Sequence, residues 1–492
     1  MPASDARGNG SVMLTLNRLN QLCSREKGCG EMTNKKYCMM LLLLVSGLRG
    51  LCPSRLRLTS LLLLILLHPA LKAETLALSA DRIIIGHQDQ PLLDSAIIIE
   101  DDKISRLLKR DKVPADMRVI DLGDATLMPG MIDAHTHPLL STGDYQTNHL
   151  AQSSTYKSLR AAAFFQKLVY AGWTGLRVAG DGDVFYGNTD IRRAIDEGFI
   201  MGPRMAVANH YLSITGGGGD LNYLSPEQTM IADGLVVDGV DAIRKAVRTE
   251  IKYGSDWIKI LATGAYLSVG DNPKNVSFSP EEFQAVMDEA NRQGTPVMAH
   301  AHATAGIKQA VLGGARSIEH GTFLDNEVIN LMAAREVWLI PTIYIGDYYA
   351  LEGGLREDDR NNYYMEYERP VWIKWLKKAH KKGVKIGVGL DFGSQGYAPE
   401  IFIREFATLL EIGMTPMEAI QAGTRVNAEM LGWDDRLGTL EVGKLADIIA
   451  IKGNPLDNIN ALKDVSFVML GGRIIRTPGG QKTPPEGLLQ LP

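Results

Sequence analysis

Apolar and polar positions change rhythm three times along the chain. Residues 35–73 hold two dense apolar runs, YCMMLLLLV and LTSLLLLILL, each preceded by a basic pair, Lys35/Lys36 and Arg55/Arg57. From Glu74 to about Met128 short alternating segments follow, LALSADRIII, SAIIIEDDKISRLL and RVIDLGDATLMPG, broken by Gly, Asp and Pro. Such runs predict β-strands of a small sandwich or barrel. The far end, GTLEVGKLADIIAIKGNPLDNI and VSFVMLGGRIIR, has the same texture. Two β-rich flanks around a long middle can complete one sheet domain from both chain ends.

Between roughly Pro129 and Trp433 apolar runs alternate with helical stretches. The runs are MIDAHTH, GWTGLRVAG, RMAVANHYLSITGG, WIKILATG, PVMAHAHA, ARSIEHG, VWLIPTIY and VKIGVGLD. Helix starts are marked by Ser279, Pro280 and Glu282, an N-cap, a first-turn proline and a capping-box acid, with Gly294 placed to close the end. Thr415, Pro416 and Glu418 repeat that arrangement before AIQAGTRVNAEMLG. Eight strands in about 300 alternating residues favour a closed (β/α)8 barrel over an open sheet.

Composition changes the picture mainly at the front. A basic flank, a short apolar core and the small-residue boundary HPALKAET describe a secretory signal cleaved after Ala73, so the chain is expected to be secreted or periplasmic. The other reading is a membrane anchor or a core helix, although anchors normally need about 20 apolar residues. All four cysteines, Cys23, Cys29, Cys38 and Cys52, lie in this leader. Without it, thiolate ligands, disulfides and cysteine nucleophiles are excluded. The leader also holds 10 of the 52 Lys+Arg and 3 of the 57 Asp+Glu, which leaves 42 basic against 54 acidic side chains. An acidic mature chain without a basic run is a poor nucleic-acid binder, and no stable membrane span is expected in it.

The chemistry sits where the apolar runs end. His135 and His137 are two apart, so on a strand they share a face, and two imidazoles on one face can hold a metal. Nine histidines follow the leader, and five of them, with His300, His302 and His320, fall at strand ends. A metal site explains them together. Lys259, in DWIKILATG, shares a strand face with Trp257 and Leu261. It either pairs with an acid such as Asp256 or is kept neutral and carboxylated by carbon dioxide, which makes a two-oxygen anion able to bridge two cations. Asp391 closes VKIGVGLD and is either a loop cap or, beside an activated water, a proton shuttle. The glycine-rich SITGGGGDLNY lacks the lysine and Ser/Thr of a P-loop and reads as a loop for close backbone approach to a substrate.

Taken jointly, PGMIDAHTH, the strand-end Lys259, AHAH, SIEHGT, GLD and GTLEVGKLADIIAI resemble the amidohydrolase superfamily, in its imidazolonepropionase-like and prolidase-like branch of Xaa-Pro or Xaa-Arg type dipeptidases and ochratoxin-hydrolysing amidases. The resemblance spans Glu74 to about Arg476. It implies an α/β fold: a distorted TIM (β/α)8 barrel over residues 129–433, plus a composite β-sandwich domain built from 74–128 and 434–480, with 1–73 as leader. It further implies two divalent metal ions, zinc above all. His135 and His137 would hold one, His300 and His320 the other, N6-carboxylated Lys259 would bridge them, and Asp391 would bind the first and act as acid and base. Relatives place tyrosine or histidine near the substrate at the position of His302, which makes it a candidate for a substrate carboxylate. Where relatives commonly read TGGHGD this chain has TGGGGD, so Gly218 replaces a histidine. His210 is the candidate to compensate, and Tyr266 completes the candidate substrate contacts.

The expected activity is therefore hydrolysis of the amide bond to a C-terminal amino acid, in dipeptides or N-acyl amino acids such as ochratoxin A, by metal-activated hydroxide. A cyclic amidase of imidazolonepropionase type is the enzymatic alternative, and a non-catalytic scaffold on the same fold is the alternative of another class. Relatives form homo-oligomers, often octamers.

Overall fold

A computed structural model describes residues 75–141, 144–351, 363–395 and 401–481. The chain divides into two units, Met1–Ala73 and Glu74–Pro492. The leader expectations fall outside the described residues, all of which belong to the second unit. Among them, no helix is long and apolar enough to cross a membrane.

The two β-rich flanks do form one sheet. Its N-terminal strands are β1 (Thr75–Ile83), β2 (Leu92–Glu100), β3 (Lys103–Lys109), β4 (Arg118–Asp121) and β5 (Ala125–Pro129). β1 and β2 pair antiparallel with Thr75 opposite Glu100, and β2 turns tightly into β3. The C-terminal strand Ile448–Lys452 then pairs antiparallel with β5, from Ile448 opposite Pro129 to Lys452 opposite Ala125. Side chains alternate along it as strand geometry demands. Ile448 and Ala450 join a cluster with Leu78, Ile97 and Phe467, while Ile449 and Ile451 enter the main core with Met128 and Val468. Both faces of this sheet are therefore buried in apolar contact.

The middle carries β6 (Met131–Ser141), β7 (Trp173–Ala179), β8 (Arg204–Ala208), β9 (Tyr211–Ser213), β10 (Leu235–Val236), β11 (Ile258–Leu261), β12 (Val297–Ala301), β13 (Ser317–His320), β14 (Trp338–Ile340) and β15 (Phe392–Gln395). After these come β16 (Ile448–Lys452), β17 (Val465–Leu470) and β18 (Arg473–Arg476), which complete the first sheet in the order β18-β17-β16-β5-β1-β2-β3, with β4 on β1. The strands of the middle pair in parallel, β15-β6-β7-β8 in one path and β10-β9-β11-β12-β13-β14 in another. Further backbone bonds link the paths. Trp257 N donates to Val207 O between β8 and β11. Ala134 N donates to Val388 O, and Gly387 N to Leu339 O, which sets the segment 384–391 between β6 and β14.

One side of these strands packs on helices: Ile258, Ile260, Ala299 and Ile318 meet Val247, Phe283, Ile307 and Val328. The other side packs on itself through Ile132, Ala206, Trp257, Met298 and Ile340. Parallel strands covered on both faces need this near-continuous apolar character.

Both predicted capping boxes form. Ser279 Oγ accepts from Glu282 N at the head of Pro280–Arg292, and Thr415 Oγ1 accepts from Glu418 N at the head of Pro416–Gln421. Two expectations shift. VKIGVGLD makes only the bridge Leu339–Ile386 rather than a full strand. Its glycines allow contact closer than a side chain permits: a Cβ on Gly387 would stand 2.1 Å from Asn427 Oδ1, and one on Gly389 2.3 Å from Ile340 Cγ2. The helix after Thr415 is interrupted by a π turn over Ala422–Val426, where Thr424 Oγ1 bonds back to Ile420 O at 2.7 Å.

Candidate active site

β6 delivers His135 and His137 to the end of the parallel sheet. Its pairing with β7 shifts register between Asp133 and Thr136, an irregularity of the kind that re-aims side chains beside active sites. The two rings stand edge to face, 5.1 Å between centroids, with their Nε2 atoms 3.2 Å apart. Asp391 Oδ1 lies 3.3 Å from His135 Nε2 and 3.0 Å from His137 Nε2, and Lys259 Nζ lies 3.5 Å from His135 Nε2. The His320 ring is 5.1 Å from that of His135, and the His300 ring 4.6 Å from that of His320. All six residues expected to carry metal chemistry are thus brought to one place.

Hydrogen bonds decide which nitrogens face inward. His137 Nδ1 is 2.6 Å from the Gly180 carbonyl, which can only accept, so Nδ1 carries a proton and Nε2 is the nitrogen turned inward. His135 Nδ1 is 2.6 Å from Glu319 Oε2, a carboxylate paired with Arg177 at 2.9 Å, so the same assignment holds there. The inward Nε2 atoms of both rings and the Asp391 carboxylate converge on a single space, with the Lys259 amine beside them. Such a convergence of acceptors suits a cation. On the opposite wall His300 Nε2 faces the Gly264 carbonyl at 3.2 Å, leaving Nδ1 bare, while His320 Nδ1 meets Thr342 Oγ1 at 2.8 Å. His135, His137 and Asp391 offer ligand atoms within 4.8 Å of one another, and so do His300, His302 and His320.

Burial tunes these groups. It holds the His300 and His320 imidazoles well below their ordinary value and His302 at about 3, so all three are neutral. Burial likewise pulls the Lys259 amine down to about 8, although Glu319 and Asp391 oppose it. For Glu319 burial pushes upward, but the Arg177 guanidinium, the hydrogen bond from His135 and the nearby Lys259 outweigh it and hold the carboxyl at about 2. Asp391 is treated alike: burial raises it, and its contacts with His135, His137 and His320 bring it well below the usual carboxylate range.

The backbone is strained here. His320, Thr342 and Asp391 have φ of 71°, 51° and 59°, left-handed values that cost non-glycine residues roughly 1–3 kcal/mol each and gather at functional sites.

A cavity of about 780 Å³ opens over these side chains. His302, Tyr266 and Gly218 line it as expected. His302 stacks on His320 at 17° and 4.8 Å, nearly parallel planes that suit shared coordination less well, whereas His300 and His320 cross at 72°. This favours His300 as the ligand and leaves His302 facing the cavity. Tyr266 stands edge-on to His302 and donates to Glu368 at 3.1 Å. A Cβ at Gly218 would meet Asp271 Oδ2 at 3.0 Å and Ala265 Cβ at 3.1 Å, so a histidine here needs these side chains to shift by a few tenths of an ångström.

His210 is a correction. Its Nδ1 bonds Glu250 at 2.8 Å and it does not line the cavity. It directly precedes β9, and strand alternation turns it outward while Tyr211 turns inward. Sequence reasoning also missed Tyr145, Tyr211, Tyr349 and Tyr364 on the cavity wall, and Trp372, whose indole donates to His320 O at 3.2 Å.

The amidohydrolase family model matches residues 126–475, most of the described chain. The chain belongs to the amidohydrolase family. Within this family the protein is similar to ochratoxinase of Aspergillus niger, 30% identical over 424 residues that cover 81% of this chain and 86% of the relative. It is also similar to imidazolonepropionase of Pseudomonas putida, 25% identical over 401 residues, 74% of this chain and 87% of the relative. Among solved structures, a Xaa-Pro dipeptidase with methionine bound in its active site superimposes with a TM-score of 0.74 at 32% identity, covering 81% of this chain and 99% of that one. The imidazolonepropionase-like and prolidase-like branch is therefore the right one, and this amidohydrolase is a hydrolase acting on C–N bonds.

Proposed function

We propose that this amidohydrolase is a binuclear metal-dependent enzyme that hydrolyses the amide bond to a C-terminal amino acid. The observation that carries the reading is the convergence of the His135 and His137 Nε2 atoms on the Asp391 carboxylate beside Lys259. The donor set fits divalent ions such as zinc: neutral imidazoles and a carboxylate, with a desolvated lysine suited to carboxylation. His135, His137 and Asp391 would hold the first ion, His300 and His320 the second, and carboxylated Lys259 would bridge them. Such ions lower the pKa of water toward 7 and polarise a carbonyl.

The remaining work belongs to the chain. Asp391, held as the anion, takes a proton during attack and returns it to the departing nitrogen. His302, neutral and facing the cavity beside Tyr266, orients the substrate. The tyrosine wall encloses the part of the substrate beyond the scissile bond. In the same reading the eight parallel segments form a distorted TIM barrel over residues 129–433. Residues 74–128 and 434–480 form a composite β-sandwich, and residues 1–73 form an export leader.

The test is a screen of the zinc-loaded protein, without its leader, against dipeptides, N-acyl amino acids, ochratoxin A and cyclic amides. Release of a free C-terminal amino acid is expected. Activity confined to cyclic amides reverses the substrate class and favours the imidazolonepropionase-like alternative. Absence of both activity and bound metal in metal-replete protein favours a scaffold.

A further inference from the structure

Glu319 and Arg177 are among the most deeply buried side chains of the protein, both with no exposed surface. Arg177 Nη2 lies 2.9 Å from each Glu319 oxygen, Nη1 donates to Ser317 Oγ at 2.9 Å, and Nε donates to Ala134 O at 2.6 Å. The guanidinium also lies over the Trp257 ring at 4.6 Å. Ser317 Oγ donates to Glu319 Oε1, and Glu319 Oε2 takes His135 Nδ1 at 2.6 Å. Every polar atom of the pair is engaged, and among the described residues the network's hydrogen bonds reach the cavity through the His135 ring.

A buried ion pair of this kind is rarely the most stabilising filling for a core, since apolar side chains of similar volume usually serve as well or better. Its neighbours on the inner face, Ile132, Ala134, Met298 and Ile340, are such a filling. What the pair supplies instead is geometry. A carboxylate held by an arginine accepts and cannot donate, so the imidazole facing it must present its N–H there. The ring then has one orientation and one tautomer, with Nε2 as a lone pair toward His137, Asp391 and Lys259.

We propose that Glu319, backed by Arg177, is the positioning residue that locks His135 as the Nδ1–H tautomer and so sets its Nε2 as a ligand for a divalent cation. The cation rests on the function proposed above; the tautomer lock does not. The two are separated by measuring both on the full-length protein. In metal-free protein labelled with ¹⁵N-histidine, the His135 signal, assigned by its loss in H135N, is expected to report a protonated Nδ1 in wild type. In E319Q it should show a mixture of tautomers. Zinc alone, titrated against a chromophoric chelator, should bind E319Q 10- to 100-fold more weakly, the usual size of such an effect. E319D, which keeps the acceptor, should recover part of the loss. R177M/E319Q removes both buried charges and should fold while showing the same weakened zinc binding. Wild-type zinc affinity in E319Q with an unchanged tautomer would overturn the proposal. An altered tautomer in E319Q, in a protein whose wild type binds no zinc, keeps the lock and sinks only the metal function.

Discussion

The two walls of the site are held by different chemistry. On the β6 wall, His135 and His137 lean on a carboxylate and a carbonyl, partners that only accept and so dictate which nitrogen faces inward. On the β12–β13 wall His300 also faces an acceptor, the Gly264 carbonyl, but His302 and His320 lean on the hydroxyls of Thr322 and Thr342, which can donate or accept as required. Both imidazoles of the β6 wall are preorganised, whereas on the other wall His320 can adapt. The supports differ as well: His135 sits against a fully enclosed ion pair, whereas Thr342, with a left-handed φ of 51°, carries the strained turn into the helix Ile343–Leu351. Preorganised ligands lose less freedom on binding, so the β6 wall should hold its ion more tightly.

The largest expected effect tests the group that serves chemistry rather than holding. Asp391→Asn keeps an oxygen toward His135 and His137 but can no longer take up and return a proton. Turnover should fall by about 10²–10⁴ while zinc content stays near that of wild type. Near-normal kcat in this variant removes Asp391 from acid–base duty.

Next in size is the contrast between the walls themselves. Stepwise removal of zinc with a chelator, followed by elemental analysis, should pass through a stable species with about one ion per chain. That species should lose its remaining ion with His135→Asn and keep it with His320→Asn. Simultaneous loss of both ions at one chelator concentration would mean that the two walls are equivalent, against the hydrogen-bond argument.

How far the site could be read from the sequence follows the same division. His135 and His137 were legible because two positions on a strand share a face, and Lys259, His300, His320 and Asp391 because each lies at or near the end of an apolar run. The joining of the two chain ends was legible as texture alone, but not its register, since nothing local pairs Ile448 with Pro129. Glu319 stood in plain view inside SIEHGT, yet its meaning lies in Arg177 and His135, 142 and 184 positions away. His210 was misread because a one-residue offset along a strand exchanges faces, and the residue that turns to the cavity is Tyr211. The tyrosine wall had no periodic signal, because its members come from one strand and separate helices far apart in the chain.

A smaller effect separates the adaptable wall from its substrate neighbour. Thr342→Val keeps the branched shape but removes the hydroxyl at His320 Nδ1, so zinc on the β12–β13 wall should weaken by about 3- to 10-fold, roughly the worth of one hydrogen bond. Thr322→Val makes the same change behind His302. Because the stacked His302 ring is not expected to hold an ion, this variant should raise KM about threefold and leave zinc affinity unchanged, again at the scale of one hydrogen bond. If Thr322→Val instead weakens zinc as much as Thr342→Val does, His302 is a third imidazole ligand and the stacking argument fails.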